Sequence, residues 1–129
     1  MASRVSTKNL PADTNYEPGF YYYQAITDEH AETKDGAYVL VVFPPHSKSR
    51  AHYHKNADVA VCCVSGKSIF LVGEQKKEFV IEPDDFLYIP RGEIHNFINP
   101  SDTETAVCVV AYFGLGCSSP YKSGKVIVE

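Results

Sequence analysis

A chain of 129 residues with a formal net charge of -4 is the size of one domain and long enough to bury a core of its own. The acidic balance excludes an ordinary nucleic-acid binder, which needs a basic face to displace counterions from phosphates. No apolar run is long enough to cross a bilayer, and the first nine residues lack the apolar stretch of a secretory leader, so the expectation is a cytoplasmic protein.

Residues 1–19 are polar and turn-rich and end in Glu17-Pro18-Gly19. They read as an arm, frayed or docked on a partner subunit, ahead of one domain over 20–129. Phe20 to Ile26 is aromatic enough for a strand, and Thr27 to Gly36 is charged, a loop or a single helical turn. Tyr38 to Phe43 is apolar on both faces and is stopped by Pro44-Pro45. Val59 to Val64 and Ser68 to Val72 follow as strands, then a hairpin tip at Gly73 to Lys77. Glu78 to Ile81, Phe86 to Ile89, His95 to Ile98, Ala106 to Phe113 and Val126 to Val128 complete the set. Short strands separated by Gly, Pro and Asp, with no sustained helical period, predict an all-β sandwich or barrel. The four cysteines form no Cys-x-x-Cys pair. Three of them sit inside apolar runs, where a thiol packs as a small hydrophobe, so no disulfide framework is expected.

Two segments carry chemistry. In Arg50-Ala51-His52-Tyr53-His54, side chains two apart share a face of an extended strand, so His52 and His54 point at one place. In Pro90-Arg91-Gly92-Glu93-Ile94-His95, proline and glycine make a tight turn that feeds a strand starting at His95. If the two strands are neighbours, His95 joins the pair. Three neutral imidazoles with coordination positions left over describe a catalytic metal site rather than a closed structural one.

These residues resemble the two motifs of the cupin superfamily. The first runs Gly, five residues, His-x-His, three or four residues, Glu, six residues, Gly; the chain supplies His52, His54 and the closing Gly66. The second runs Gly, five residues, Pro-x-Gly, two residues, His, three residues, Asn; Pro90, Gly92, His95 and Asn99 match it. The resemblance spans about residues 38–113 and implies a double-stranded β-helix, or jelly-roll barrel, with a metal inside one end. It also implies a homodimer, and the aromatic run Phe20-Tyr21-Tyr22-Tyr23 is the expected place for a second chain to pack.

The chain departs from the pattern in three places. His46 and Asp84 stand where each motif opens with glycine. Asp tolerates such turns, and His46 reads as a loop residue near the mouth, or as a proton-transfer group. Val59 stands where the first motif places its Glu ligand, and the neighbouring Asp58 fits only the shorter spacing from His54. The ligand set is therefore His52, His54 and His95 alone, or these with Asp58. Strand parity leaves both open, and a turn or cap is the other role for Asp58.

Around the metal, Arg50 is the candidate to hold a substrate carboxylate or enolate, with a solvent-facing arginine as the alternative. Phe97 is in phase with His95 and should line the barrel, with Tyr38, Phe43 and Tyr88 as further wall or core candidates. Glu93 is either a group orienting a histidine or a surface residue. Tyr53 and Lys55 should point away, and Cys62-Cys63 should place one thiol on each face of its strand. The three-histidine arrangement resembles that of cupin dioxygenases, which implies one divalent ion, Fe(II) first, with Zn, Ni, Mn or Cu as alternatives. The reading is a dioxygenase acting on a small organic molecule. An O2-independent isomerase, lyase or decarboxylase, or a non-catalytic ligand-binding barrel, are the alternatives.

Overall fold

A computed structural model describes residues 1–128. Ten strands form two five-stranded antiparallel sheets that face each other across one core. In chain order they are β1 (Tyr21–Ile26), β2 (Gly36–Phe43), β3 (His52–His54), β4 (Asp58–Ser65) and β5 (Ser68–Val72), then β6 (Lys77–Ile81), β7 (Phe86–Ile89), β8 (His95–Ile98), β9 (Ala106–Phe113) and β10 (Lys125–Ile127). The first sheet runs β1-β2-β9-β4-β7 and the second β10-β3-β8-β5-β6. One helical turn, Asp28–Ala31, lies in the charged stretch after β1, and short 3-10 turns cover Thr7–Asn9 and Pro120–Lys122. No helix among the described residues is long and apolar enough to cross a membrane.

Period-two burial positions everything. Val39, Val41 and Phe43 on β2, Val59 and Val61 on β4, and Val110 and Tyr112 on β9 all face inward. The second sheet answers with Phe70, Phe97 and the three histidines. Phe20, Phe43, Phe70 and Phe97 stack at one level, with centroids 4.5–6.5 Å apart between successive rings. Phe20 and Tyr22 thus fill this chain's own core, while Tyr21 is turned outward and exposed.

The motif glycines and their substitutes sit where the backbone needs a left-handed turn. Gly66 has φ +75, and a Cβ there would lie 2.6 Å from the Thr105 carbonyl oxygen. His46 (φ 60) and Asp84 (φ 77) adopt the same region at the two positions where the motifs open. Both are exposed turn residues, and His46 Nε2 pairs with Asp102. Asn99 is buried and structural: its amide nitrogen donates to the carbonyls of Phe43, Pro44 and Glu104.

The segment before β1 is anchored at several points. Asp13 forms a bridge with Tyr22, and Tyr16 and Glu17 are buried. Tyr16 packs edge-on against Tyr22, Tyr112 and Tyr121. All four cysteines are free thiols. Cys62 faces outward and is half-buried, whereas Cys63 is buried opposite Cys108 on β9.

Candidate metal centre

β3 and β8 are neighbours, and His52 lies directly opposite His95. Residues opposite each other in an antiparallel pair share a face, so both imidazoles enter the barrel side by side. His54, two residues on, joins them from the next inward position of β3. The Pro90–Gly92 turn secures this: the Gly92 amide donates to the His54 carbonyl at 2.9 Å, docking the start of β8 on the end of β3. The three rings have centroids 4.4–5.3 Å apart. One ring nitrogen from each lies within 4.8 Å of the others.

Hydrogen bonds fix the tautomers. His52 Nδ1–H donates to the Arg50 carbonyl (2.8 Å) and His95 Nδ1–H to the Glu93 carbonyl (2.9 Å). A carbonyl only accepts, so each ring carries its proton on Nδ1 and leaves a lone pair on Nε2. His54 Nδ1 meets Ser123 Oγ at 2.8 Å, and Ser123 spends its one hydroxyl proton on the Pro120 carbonyl at 2.6 Å. Ser123 is therefore the acceptor, and His54 has the same tautomer as the other two.

The three rings are buried and held in their uncharged form. Burial pushes His52 down to about 3, with the His95 ring adding to the effect. Burial likewise pushes His54 to about 2, with both neighbouring rings adding, and His95 to about 4. His95 Nε2 is buried without any hydrogen-bond partner. A buried acceptor lone pair left empty is costly unless something fills it. Three neutral nitrogens of one tautomer, one of them orphaned and all converging, fit a divalent cation of the His-ligated type. His52, His54 and His95 are positioned to hold one metal ion.

The other candidates fall in different places. Of the two ligand sets left open, the one with Asp58 does not form, since Asp58 stands apart from the cluster of His52, His54 and His95. The turn at 55–57 carries the chain from the second sheet to the first and resets the parity. Asp58 then lies on the outward phase of β4, and its carboxylate takes the Arg91 amide (2.9 Å) and guanidinium (3.1 Å). Val59 is the inward residue, buried opposite Tyr112. Tyr38 and Tyr88 are corrected from wall to exterior: both lie on the outward phase of the first sheet, 48% and 60% exposed. Phe97 and Phe43 point inward. Phe97 touches the site, 6.0 Å from His52 and 5.7 Å from His95 between centroids, and Phe43 stacks behind it at 5.6 Å. Arg50 is turned to Glu17, with Nε 3.1 Å from the carboxylate, rather than along the inward face of β3. Glu93 contributes its backbone carbonyl to His95.

Sequence reasoning passed over the residues supplied by the segments before β1 and after β9. Lys125 on β10 lies directly opposite His54, so it enters the barrel beside that ring. Its ammonium donates to the Tyr16 carbonyl (2.9 Å) and to Glu17, and sits 4.2 Å from the Tyr16 ring centroid. Glu17 is 1% exposed and accepts from both Lys125 and Arg50. Burial alone would raise its carboxyl, but the hydrogen bonds from Arg50 and Lys125 hold it below the usual range. No spacing signal links residue 17 or 125 to the histidines. The aromatic-flanked Tyr16-Glu17 and the inward phase of a final strand were the only hints.

A family model of the cupin domain matches residues 39–112. The chain belongs to the cupin family. Among solved structures it is similar to the polyketide cyclase RemF of Streptomyces resistomycificus, with TM-score 0.81 and 20% identity over 100% of this chain and 87% of that one. It is also similar to KdgF of Halomonas sp. (TM-score 0.72, 16% identity, 87% and 94% covered). A predicted oxalate decarboxylase of Thermotoga maritima gives TM-score 0.72 and 15% identity over 88% and 100%. At these identities the likeness shows the shared double-stranded β-helix. Comparison with curated protein sequences gives no match. Lys125, Ser123 and Glu17 all lie outside the matched residues, so part of what surrounds the histidine cluster comes from the segments that flank them.

Proposed function

We propose that this cupin is a mononuclear metalloenzyme acting on a small organic molecule, with non-haem Fe(II) dioxygenase chemistry as the leading form. The observation that carries it is the convergence of three Nδ1-protonated, uncharged histidines with no carboxylate in the set. Such a donor set leaves the full charge of a divalent ion uncompensated and positions open for an anionic, chelating substrate. A bound ion would supply Lewis acidity and, as Fe(II), redox capacity toward O2. The protein's part is to exclude water with Phe97 and Phe43 and to hold the rings through the Arg50 and Glu93 carbonyls and Ser123.

A second reading has its own support. Lys125 brings an ammonium to the inward face beside His54, where it would stabilise an enolate or carboxylate. That arrangement suits an O2-independent isomerase, lyase or decarboxylase with Zn, Ni or Mn. The similar structures named as a cyclase and a decarboxylase lean the same way.

One experiment tests both. The protein is loaded anaerobically with Fe(II) and offered β-diketones, phenolic ketones and thiols while O2 uptake and substrate loss are followed. O2 consumed in step with substrate supports the dioxygenase. Substrate loss that persists without O2 selects the second reading. No turnover with metal bound removes the first.

A further inference from the structure

The outer face of the second sheet holds a hollow with an unpaired amide in its lining. His95 and Phe97 both enter the barrel, so Asn96 between them is turned to the opposite face of β8, away from the histidines. It is nevertheless only 6% exposed. Leu71 lies directly opposite it on β5, and Ala51, Ile94 and Val128 complete the surrounding wall. The Val128 amide donates to the Ala51 carbonyl at 3.0 Å, which fixes that side. The small Ala51 and Gly73 leave a space of about 310 Å³. The Gly73 amide donates to the Ile94 carbonyl at 2.7 Å, folding the hairpin tip beside the hollow and bringing Glu74 and Lys76 to its rim.

We infer that this hollow is a binding site separate from the histidine cluster, for a neutral planar heterocycle that presents an acceptor atom beside an N–H, as a nucleobase or a cyclic amide does. An asparagine side chain offers a carbonyl acceptor and two N–H donors, and a buried one is normally paired. Asn99, the other buried asparagine, spends its amide on the carbonyls of Phe43, Pro44 and Glu104. Among the described residues, the Asn96 side chain has no hydrogen-bond partner. Its donor and acceptor are left for whatever enters the hollow. A ligand edge with one acceptor and one N–H side by side satisfies both at once, the two-point pairing by which asparagine reads the edge of a base. Leu71, Ile94 and Val128 supply apolar contact for the rest of the ring. Glu74 and Lys76 are of opposite sign, so the rim as a whole does not select an ion. The volume lies at the low end of ligand pockets, which run from about 300 Å³, and suits one ring or a fused pair. Neither the metal nor the reaction inside the barrel is needed for it.

Titration of the isotope-labelled full chain with uracil, cytosine and adenine tests it, followed by NMR through the Asn96 side-chain amide. Asn96→Leu removes the polar edge, and Ala51→Leu fills the hollow without touching the amide. Both positions face out of the barrel, and circular dichroism reports whether each variant keeps its fold. The expected result is a saturable shift with at least one base, with Kd on the order of 1 mM or tighter for so small a ring. Affinity should fall at least tenfold in each variant. It should fall as far in the wild type for uracil methylated on both ring nitrogens, which has no N–H to give. No saturable shift with any of the three bases at ten times that concentration overturns the inference. Equal binding of the methylated uracil also overturns it, because the hollow then reads no polar edge. Unchanged affinity in Ala51→Leu overturns it even where Asn96→Leu does not fold.

Discussion

Ser123 offers the sharpest test of how this centre is held. It is fully buried, its Oγ accepts from His54 Nδ1, and its own proton goes to the Pro120 carbonyl. Ser123→Ala deletes that acceptor, together with the hydroxyl's bond to the Pro120 carbonyl and its 3.4 Å contact with the Tyr16 hydroxyl. The backbone bonds from Ser123 N to Pro120 and from Asn56 N to the Ser123 carbonyl remain, so the local chain keeps its path. The buried His54 N–H then has no acceptor, at a cost of about 1–3 kcal/mol, and the ring is free to turn or change tautomer. Losing the partner that orients a metal-binding histidine typically lowers metal affinity about 10–100-fold, or about 1.4–2.7 kcal/mol. Competition of Zn(II) or Co(II) against a coloured chelator measures this directly. The metal-free protein should also melt several degrees lower, about 2–6 °C per kcal/mol at this size. A variant that is less stable but binds metal within threefold of the parent would refute the positioning role and reduce Ser123 to a structural hydroxyl.

Elemental analysis of the purified protein should find one divalent metal per chain, and His52→Ala should lose it while keeping the β-rich circular dichroism spectrum. The metal-free protein should lose stability as pH falls from about 6.5. The three histidines sit at about 3, 2 and 4 when folded, whereas an unfolded histidine takes its proton near 6.5. The unfolded chain then holds more protons, each contributing about 1.4 kcal/mol per pH unit, and this stability is present above 6.5 and lost below it. Melts between pH 7.5 and 5 in the presence of chelator check the sign; a flat or rising profile on acidification contradicts it. Glu17→Gln removes the buried carboxylate that Arg50 and Lys125 share and should cost about 3–5 kcal/mol in urea unfolding, since Lys125 stays buried beside His54. Gly66→Ala should destabilise by more than the ~1 kcal/mol of an ordinary glycine replacement, because φ +75 and the 2.6 Å approach to the Thr105 carbonyl act together.

Much of the fold was legible because antiparallel strands announce themselves locally. Ser68–Val72, Phe86–Ile89, His95–Ile98 and Ala106–Phe113 begin and end where their turn residues say they should. The histidine triad was legible for the same reason. His-x-His on a strand forces two rings onto one face, and the Pro-x-Gly turn marks where the third strand starts. Parity across a break was not legible. Asp58 keeps step with His52 and His54 only along an unbroken strand, and the turn at 55–57 moves it to the other sheet and the other face. Tyr38 and Tyr88 lie in runs that are apolar on both faces, so their direction depends on which neighbour each strand pairs with.

The amino-acid sequence by itself determined the all-β class, the cupin motifs and the three histidines, because each is a short-range pattern of strand period and turn chemistry. Tertiary structure alone decided what surrounds them. The pairing of β10 with β3 brings Lys125 opposite His54 from 71 positions away, and the folding back of the first segment buries Glu17 against both Lys125 and Arg50. Contacts of that range leave no periodic trace, since they arise from which sheet edges meet rather than from the order of residues along any one strand.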